Sequence, residues 1–367
     1  MRKLVFIKSH FQKFGGLEKQ ARMILDALLQ KGYDITVLTG QNTAAIAGAK
    51  VVSLEIPPKG FVGITRFNRA CTYYLLNNPH DTVFSMDRVS CATHLRAGNG
   101  VHAAFLAARA AYSSPLKRLS FRFNPLHRAI LDLEKKSLQN PALCQIIVNS
   151  HMVKEEILRY YPKTTANISV IHNGAPRLAC SESFAIWPQI KEQTVRKYTL
   201  PANCFHFLFI GNDYRRKGLI PLLRALANLK GEPFHLCVLG KDKNPGYYIA
   251  LAKKLGLAGK CSFLMHTQDT APFYSLADAL AVPSYYDPFA NVTTEALSMG
   301  VRVISSKLNG GSEIITPENG LIYADNLKAA LKAAISQPKT RERALTIRES
   351  VCYLDQEKQL QELIKLI

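Results

Sequence analysis

The chain has 367 residues, a length that suits two domains of roughly 150–200 residues better than a single hydrophobic core. Its formal net charge of +20 favours anionic partners such as nucleotide phosphates, nucleic acid or an anionic membrane surface, unless the excess serves only solubility. The eight cysteines are scattered without a C-x-x-C pair, which argues against a disulfide framework and a zinc site and fits a reducing cytosol. No run of eighteen apolar residues is present, so no membrane-spanning helix is predicted.

The first half of the chain alternates between short apolar strands and a helical pattern. The apolar run at 4–7 is too short for the core of a signal peptide and predicts a first buried strand. A stripe of apolar residues at helical spacing follows at 17–29, and the next strand is predicted at 35–38. Strand, helix and strand at this spacing indicate a right-handed parallel crossover. Further strands are predicted at 82–85, 145–148 and 168–171.

The same alternation resumes after an interruption by prolines and polar residues. Strands are predicted at 207–210, 234–239, 262–265, 279–282 and 301–304, with helices at 219–229, 248–255 and 295–299. The predicted fold class is α/β, with two doubly wound Rossmann-like domains facing a cleft. We expect these domains at 1–175 and 204–340, a linker at 176–203, and a C-terminal helix at 341–367 that packs back across them. Ligands of such sheets bind beyond the carboxyl ends of the strands, where the strand order switches.

The most informative motif is an acidic turn that follows the strand at 279–282. Asp287 opens the turn, and Glu295 comes eight positions later inside the predicted helix. The helix N-terminus directs its free N–H groups into the turn, and carboxylates accept hydrogen bonds from paired sugar hydroxyls. The pattern therefore predicts a site for a sugar or a ribose, and a chance pair of acids is the alternative.

A basic turn follows the first strand of the second domain, at residues 211–218. Arg216 can contact a phosphate through two N–H groups, and Lys217 adds a mobile point charge. At this place both could neutralise a departing diphosphate, which reduces the need for a metal. The alternative is a solvated basic turn.

Three loops carry weaker signals. Gly15 and Gly16 precede the first helix, where backbone N–H groups can approach an anion, but the G-x-G-x-x-G spacing of a dinucleotide site is absent and a tight turn is the alternative. His102 ends a glycine-containing loop at 96–102, and a lone histidine is more often structural. The loop at 309–315 is a second glycine loop. It would lie near the acidic turn if the strands that precede the two loops are adjacent in the sheet.

Residues 103–136 form a basic stretch with interleaved aromatic and aliphatic residues. Seven lysines and arginines stand against two acids here. A basic amphipathic segment of this kind suits the interface of an anionic bilayer. The alternative is a helical pair that packs on the domain core.

Together these motifs resemble the retaining, GT-B-fold glycosyltransferases of family 4, and among them the lipopolysaccharide inner-core glucosyltransferases. The resemblance covers essentially the whole chain, and the acidic turn corresponds to the E-x7-E motif of the family. It is carried by residues 14–17, 148–150, 171–174, 211–218, 287–295 and 309–315. The chain departs from the family pattern at Asp287, where Glu is usual, and at Asn173-Gly174-Ala175-Pro176, where Asn-Gly-(Val/Ile)-Asp is common.

The resemblance implies a role for each matching residue. Glu295 would bind the ribose hydroxyls of the donor nucleotide, and Asp287 the hydroxyls of the donor sugar. Further sugar hydroxyls would be held by backbone N–H groups of Phe289, Ala290 and Asn291. The diphosphate would be clamped by Arg216 and Lys217. The sugar–phosphate link would be faced by Gly15 and Gly16, with His102 as a catalytic-site residue near the attacked carbon.

The implied function is retaining, metal-independent transfer of a hexose, expected to be glucose, from a nucleotide diphosphate sugar to a lipid-linked acceptor, the lipopolysaccharide core. We expect a UDP-linked donor, no other cofactor and no metal ion. We also expect a monomer that lies on the cytoplasmic face of the inner membrane, contacts anionic lipid and binds no nucleic acid. The alternatives are a GT-B-fold epimerase or phosphorylase, or an inactive glycosyltransferase-like scaffold, the last because of Asp287.

Overall fold

The computed structural model describes residues 2–11, 16–56, 59–264, 267 and 269–367. The chain divides into two compact units. The N-terminal unit comprises Met1–His172 and Gln359–Ile367, and the C-terminal unit comprises Asn173–Lys358.

The N-terminal unit is built on one parallel sheet. Its strands are β1 (Lys3–Ile7), β2 (Asp34–Thr39), β3 (Ala49–Ser53), β4 (Thr82–Ser85), β5 (His94–Arg96), β6 (Gln145–Val148) and β7 (Asn167–Val170). Their order in the sheet is β3-β2-β1-β4-β5-β6-β7. The helices described in this unit are α1 (Gly16–Gln30), α2 (Gly60–Asn77), α3 (His102–Ala111), α4 (Pro115–Phe123), α5 (Pro125–Leu138) and α6 (His151–Tyr160).

The C-terminal unit repeats this plan. Its strands are β8 (Phe205–Ile210), β9 (Phe234–Leu239), β10 (Cys261–Leu264), β11 (Ala279–Val282), β12 (Arg302–Ser306) and β13 (Gly320–Tyr323), in the parallel order β10-β9-β8-β11-β12-β13. Its helices are α7 (Arg177–Ala185), α8 (Trp187–Tyr198), α9 (Leu219–Ala227), α10 (Pro245–Lys254), α11 (Ala271–Leu276), α12 (Asn291–Ser298), α13 (Leu327–Ile335) and α14 (Arg341–Ser350), with a 3-10 helix at Gly310–Ile314. A last helix, α15 (Gln356–Ile364), runs from the end of this unit into the N-terminal unit.

The central strands of both sheets are buried on two faces, which explains their continuous apolar runs. Every residue of β9 and of β11 is buried. In the C-terminal unit one core packs around Leu280 and Phe273, and the other packs around Phe207 and Leu222. Each side chain of this size contributes about 1.5–3 kcal/mol when it is fully buried. The doubly wound α/β architecture predicted from the alternating pattern is therefore confirmed.

The segment at 176–203, predicted to be a linker, forms α7 and α8 instead. Phe184, Trp187 and Leu200 of this segment are buried in a core of the C-terminal unit. The prolines that suggested a linker lie where helices tolerate them, because Pro188 occupies the first turn of α8. Pro201 comes three residues after the last residue of that helix.

The C-terminal stretch 341–367, predicted as one helix, is two helices. Ala344 and Ile347 of α14 are buried in a core of the C-terminal unit. Leu363 and Ile364 of α15 are buried in the core of the N-terminal unit. The break at 351–355 therefore changes the unit with which the chain packs.

Candidate functional site

The predicted donor-binding residues of the C-terminal unit lie at the switch point of its sheet. Strands β8 and β11 are neighbours, and the next strands along the chain lie on opposite sides of this pair. The strand order therefore reverses between β8 and β11, which is where ligands bind to doubly wound sheets. Arg216 and Lys217 lie on the first of these loops, and Asp287 lies on the second.

Backbone contacts hold these two loops together. Gly218 has a φ of 82°, and a Cβ atom there would lie 1.8 Å from the carbonyl oxygen of Pro283. Only glycine allows this approach. The N–H of Tyr285 donates to the carbonyl oxygen of Arg216 at 3.0 Å. The basic turn and the acidic turn thus form one packed assembly.

Two cations converge on the first acid of the acidic turn. Lys217 Nζ donates a hydrogen bond to Asp287 Oδ2, and Arg216 Nη1 lies 3.3 Å from the same oxygen. Arg216 Nη1 also donates to the carbonyl oxygen of Tyr286 at 3.2 Å. The side chains of Lys217 and Asp287 are only 14% and 8% exposed, so solvent screens this charge cluster weakly.

The cluster decides the protonation state of Asp287. Burial alone raises the pKa of this carboxyl, but Lys217 and then Arg216 lower it more, so the pKa of Asp287 lies below its usual range. Asp287 is therefore ionised at neutral pH. It accepts hydrogen bonds from the two basic side chains, at the switch point where an anionic ligand would meet them.

A third loop, after β12, braces the acidic turn. The N–H of Asp287 donates to the carbonyl oxygen of Leu308 at 3.1 Å, and the N–H of Gly310 donates to the carbonyl oxygen of Asp287 at 2.8 Å. The buried Asn309 accepts from the N–H groups of Ala290 (3.1 Å) and Gly311 (3.0 Å) through Oδ1. Its Nδ2 donates to Ser305 Oγ at 3.0 Å, so both ends of the amide are engaged.

Helix α12 begins at Asn291, four residues earlier than the sequence predicted. The side chain of Asn291 accepts a hydrogen bond from Asn173 Nδ2 at 2.8 Å. Glu295 lies in the second turn, where its Oε2 accepts from the hydroxyl of the buried Tyr274 at 2.7 Å. Burial and then the charge of Glu295 raise the pKa of Tyr274 well above its usual value, so the phenol stays a hydrogen-bond donor to the carboxylate.

Two of the backbone donors predicted for sugar hydroxyls are already engaged. The N–H of Phe289 donates to Asp287 Oδ1 at 3.3 Å, and the N–H of Ala290 donates to Asn309. The resemblance alone did not indicate these internal partners. A sugar hydroxyl would compete with the protein for both groups.

His102 lies in the N-terminal unit, as the first residue of α3. Its N–H donates to the buried Glu134 of α5, at 2.8 Å to Oε1 and 3.0 Å to Oε2. Glu134 also accepts from Arg88 Nε at 2.8 Å and from the hydroxyl of Tyr161 at 2.7 Å. The ring of His102 meets the ring of His127, with Nε2 3.1 Å from Nδ1.

The predicted glycine pair is only partly within the described residues. Gly15 lies outside them, and Gly16 is the first residue of α1. Within either unit taken by itself, the described residues form no cluster of three histidine, cysteine or acidic side chains close enough to bind one metal ion.

The basic stretch in the N-terminal unit exposes an amphipathic helix. Helix α4 has no buried residue, and its Leu116 and Phe123 are 84% and 67% exposed. Three exposed basic residues lie between them on the same helix: Lys117, Arg118 and Arg122. No helix among the described residues is both long and apolar enough to cross a bilayer.

Several residues of these networks were not identified from the sequence. Asn309 stood in a glycine loop that was noted without a role for its amide. Glu134 was counted only as a charge in the basic stretch, and His127 was not singled out. Their burial and partners come from the tertiary fold, which a single sequence does not display.

Comparison with known families identifies domains in both halves of the chain. Residues 14–176 match the family described as Glycosyltransferase Family 4, and residues 190–346 match the family described as Glycosyl transferases group 1. The chain is therefore a glycosyltransferase, and its two parallel sheets are those of the GT-B fold. The resemblance to GT-B-fold glycosyltransferases that the motifs indicated is confirmed.

Among its relatives is the lipopolysaccharide glucosyltransferase WaaG of Escherichia coli K12, which is 24% identical over 338 residues, 89% of this chain and 88% of WaaG. The crystal structure of WaaG matches with a TM-score of 0.81 at 21% identity, over 99% of both chains. The lipopolysaccharide core biosynthesis glycosyltransferase LpsE of Rhizobium meliloti is 28% identical over 152 residues, 40% of this chain and 44% of LpsE. HepE of Anabaena in complex with UDP-glucose matches with a TM-score of 0.67 at 15% identity, over 100% of this chain and 99% of HepE.

Proposed function

We propose that this enzyme transfers glucose from UDP-glucose, with retention at the anomeric carbon and without a metal ion, to a lipid-linked acceptor of the lipopolysaccharide core. The observation that carries the proposal is the cluster of Arg216, Lys217 and Asp287 at the switch point of the C-terminal sheet. It combines two cations suited to a diphosphate with a carboxylate suited to sugar hydroxyls.

The two cations account for the leaving group. A nucleoside diphosphate gains negative charge as its bond to the sugar breaks, and weakly screened cations at fixed positions stabilise that charge. Asp287 holds Lys217 and Arg216 before the donor arrives, so they reorganise little during the reaction. This arrangement takes over the neutralisation that a metal ion would otherwise supply.

The acids account for recognition of the donor. Glu295 is held by Tyr274 through one oxygen, and we propose that the carboxylate receives the ribose hydroxyls. Asp287 presents its carboxylate beside the cations, where the hexose would adjoin the diphosphate. The name of the WaaG relative and the UDP-glucose bound by HepE favour glucose and uridine among the possible donors.

The chemical step we propose passes through an oxocarbenium-like state. The bond from the anomeric carbon to the phosphate oxygen breaks, and the acceptor hydroxyl attacks from the face that the phosphate leaves. The departing phosphate takes the proton of that hydroxyl. His102 would bind a hydroxyl near the attacked carbon.

We propose that the acceptor is reached at an anionic membrane surface. Exposed apolar side chains on α4 can enter the interface while Lys117, Arg118 and Arg122 contact anionic headgroups. The WaaG and LpsE relatives are named for lipopolysaccharide, which favours a core saccharide as acceptor. The enzyme would then act as a monomer on the cytoplasmic face of the inner membrane.

The proposal is tested with a panel of UDP-, ADP- and GDP-linked sugars on the full chain. We expect UDP-glucose to raise the melting temperature, because a ligand at a hundred times its Kd stabilises the folded state by about 2.7 kcal/mol. The shift should persist in EDTA, and an exposed-lysine control, Lys332→Ala, should keep it. If no sugar nucleotide changed the melting temperature, the proposed donor site would be wrong.

Turnover separates the transferase from the other reactions of this fold. Incubation of UDP-glucose with a truncated core acceptor should give a product whose NMR coupling shows the α-linkage of the donor. A β-linked product would refute retention. Conversion of the donor to its epimer, or phosphate-dependent release of glucose 1-phosphate, would instead indicate an epimerase or a phosphorylase.

A further inference from the structure

Among the described residues, the ring of His102 is hydrogen-bonded to the ring of His127. His102 Nε2 and His127 Nδ1 lie 3.1 Å apart, and the ring centroids are 5.2 Å apart at an angle of 40°. The backbone of His102 is fixed separately, by the hydrogen bonds from its N–H to Glu134. Main chain and ring are thus held by different residues of the same helix, α5.

His127 is itself held firmly. Its N–H donates to the side chain of Asn124, which caps the start of α5. The ring of Phe121 meets that of His127 edge-on at 5.9 Å, and the guanidinium of Arg109 lies 4.8 Å from the centre of the Phe121 ring. A side chain supported in this way can impose a direction on its partner.

The groups around the pair keep both rings neutral. Burial most of all, and then the charges of Arg88, His127 and Arg109, lower the pKa of His102 to about 4 against the opposing effect of Glu134. Burial and then Arg109 lower the pKa of His127. At neutral pH one ring therefore donates a single proton to the other.

A hydrogen bond between two neutral imidazoles sets both tautomers, because one nitrogen must carry hydrogen and the other must not. Neutral histidine intrinsically prefers hydrogen on Nε2. Both rings satisfy that preference when Nε2–H of His102 donates to a bare Nδ1 of His127. The opposite arrangement requires the less favoured tautomer in both rings.

We propose that His127 is a positioning residue that keeps hydrogen on Nε2 of His102, so that Nδ1 is the hydrogen-bond acceptor that His102 presents to a hydroxyl group. The proposal deepens the role of His102 stated under Proposed function and rests on it for its catalytic meaning. A His102 with hydrogen on Nδ1 would offer a donor in place of this acceptor. The acceptor form suits a substrate hydroxyl that donates a hydrogen bond to the ring nitrogen.

The test is the ¹⁵N spectrum of the histidine rings in the full protein without ligand at pH 7.5. The wild type should show His102 with a protonated Nε2 and a bare Nδ1. His127→Leu should show averaged signals from two tautomers, and His127→Asn should restore the wild-type pattern, because the asparagine oxygen can replace Nδ1 as acceptor. The control Arg128→Ala, at the exposed neighbour on α5, should leave the signals unchanged.

Kinetics adds a second readout that loss of folding would not mimic. We expect His127→Leu to lower kcat about tenfold, or about 1.4 kcal/mol, with the KM for UDP-glucose unchanged, and His127→Asn to recover most of that loss. Unchanged His102 signals in His127→Leu, or hydrogen on Nδ1 in the wild type, would overturn the inference. Full turnover by His102→Ala would refute the catalytic role of His102, while the spectra would still decide the tautomer.

Discussion

Replacement of Lys217 by alanine tests the proposed phosphate clamp. Two unit charges 4 Å apart interact by about 4 kcal/mol at an effective dielectric constant of 20, against about 1 kcal/mol in water. The larger value applies more closely here, because the Lys217 side chain is 14% exposed. Its stem also packs on Gly211, where an added Cβ would lie 2.9 Å from Lys217 Cγ. Arg216 remains in the variant and compensates in part, so we expect a loss of about 3 kcal/mol, or somewhat more than a hundredfold in kcat.

The assay is steady-state transfer from UDP-glucose, with the melting temperature measured in parallel. Lys217→Ala leaves Asp287 paired with Arg216, so we expect the variant to lose about 1–2 kcal/mol of folding free energy and to remain folded at 25 °C. Lys332→Ala removes the same charge from the exposed face of α13 and should keep full turnover. A folded Lys217→Ala protein with near-wild-type turnover would refute the reasoning and remove Lys217 from the site.

Three further predictions follow from charges in the structure. Asp287→Asn removes a negative charge beside the two cations, so we expect the variant to bind UDP about fivefold more tightly while its turnover falls. Calorimetry measures the affinity for UDP, and weaker binding would contradict this prediction. Neutralising Lys117, Arg118 and Arg122 together should abolish sedimentation with anionic vesicles, since each nearby cation adds about 1 kcal/mol, and unchanged sedimentation would leave α4 a packing role only. Because the pKa of His102 falls from 6.5 to about 4 on folding, the unfolded chain binds the extra proton and stability declines as pH drops between these values. We expect the free energy of unfolding in urea to fall by about 1 kcal/mol less in His102→Asn than in the wild type when the pH is lowered to 5, a value discounted for the partial exposure of His102. An equal fall in both proteins would show that His102 does not titrate in this way.

Most of the strands were predictable because they are short and apolar. The predictions at 82–85, 145–148, 234–239 and 279–282 coincide with β4, β6, β9 and β11. Strands β3, β5 and β13 were not predicted, and β5 has only three residues, among them Arg96. That arginine is fully buried and donates to the carbonyl oxygens of Val148 and Ile171, contacts that only the folded sheet creates.

The candidate site was predictable where motif and strand end coincide. Arg216, Lys217 and Asp287 were placed at the carboxyl ends of strands, and the structure brings them into direct contact. The partners that hold them could not be predicted in the same way. The side chains of Asn309 and Tyr274 reach the candidate site from other elements of the fold, and their spacing along the chain follows no helix or strand period.

The buried amide of Asn309 also bears on how the protein ages. An asparagine before a glycine deamidates readily, because the unhindered glycine nitrogen can attack the side-chain carbonyl carbon and close a succinimide ring. The N–H of Gly310 is bonded to Asp287 and both ends of the Asn309 amide are held, so the folded loop keeps these atoms from that reaction. Conversion to aspartate in a partly unfolded sample would remove the donor to Ser305 and set a second carboxylate beside Asp287. In such a sample, activity would then be lost through chemical damage at one residue that braces the proposed donor site.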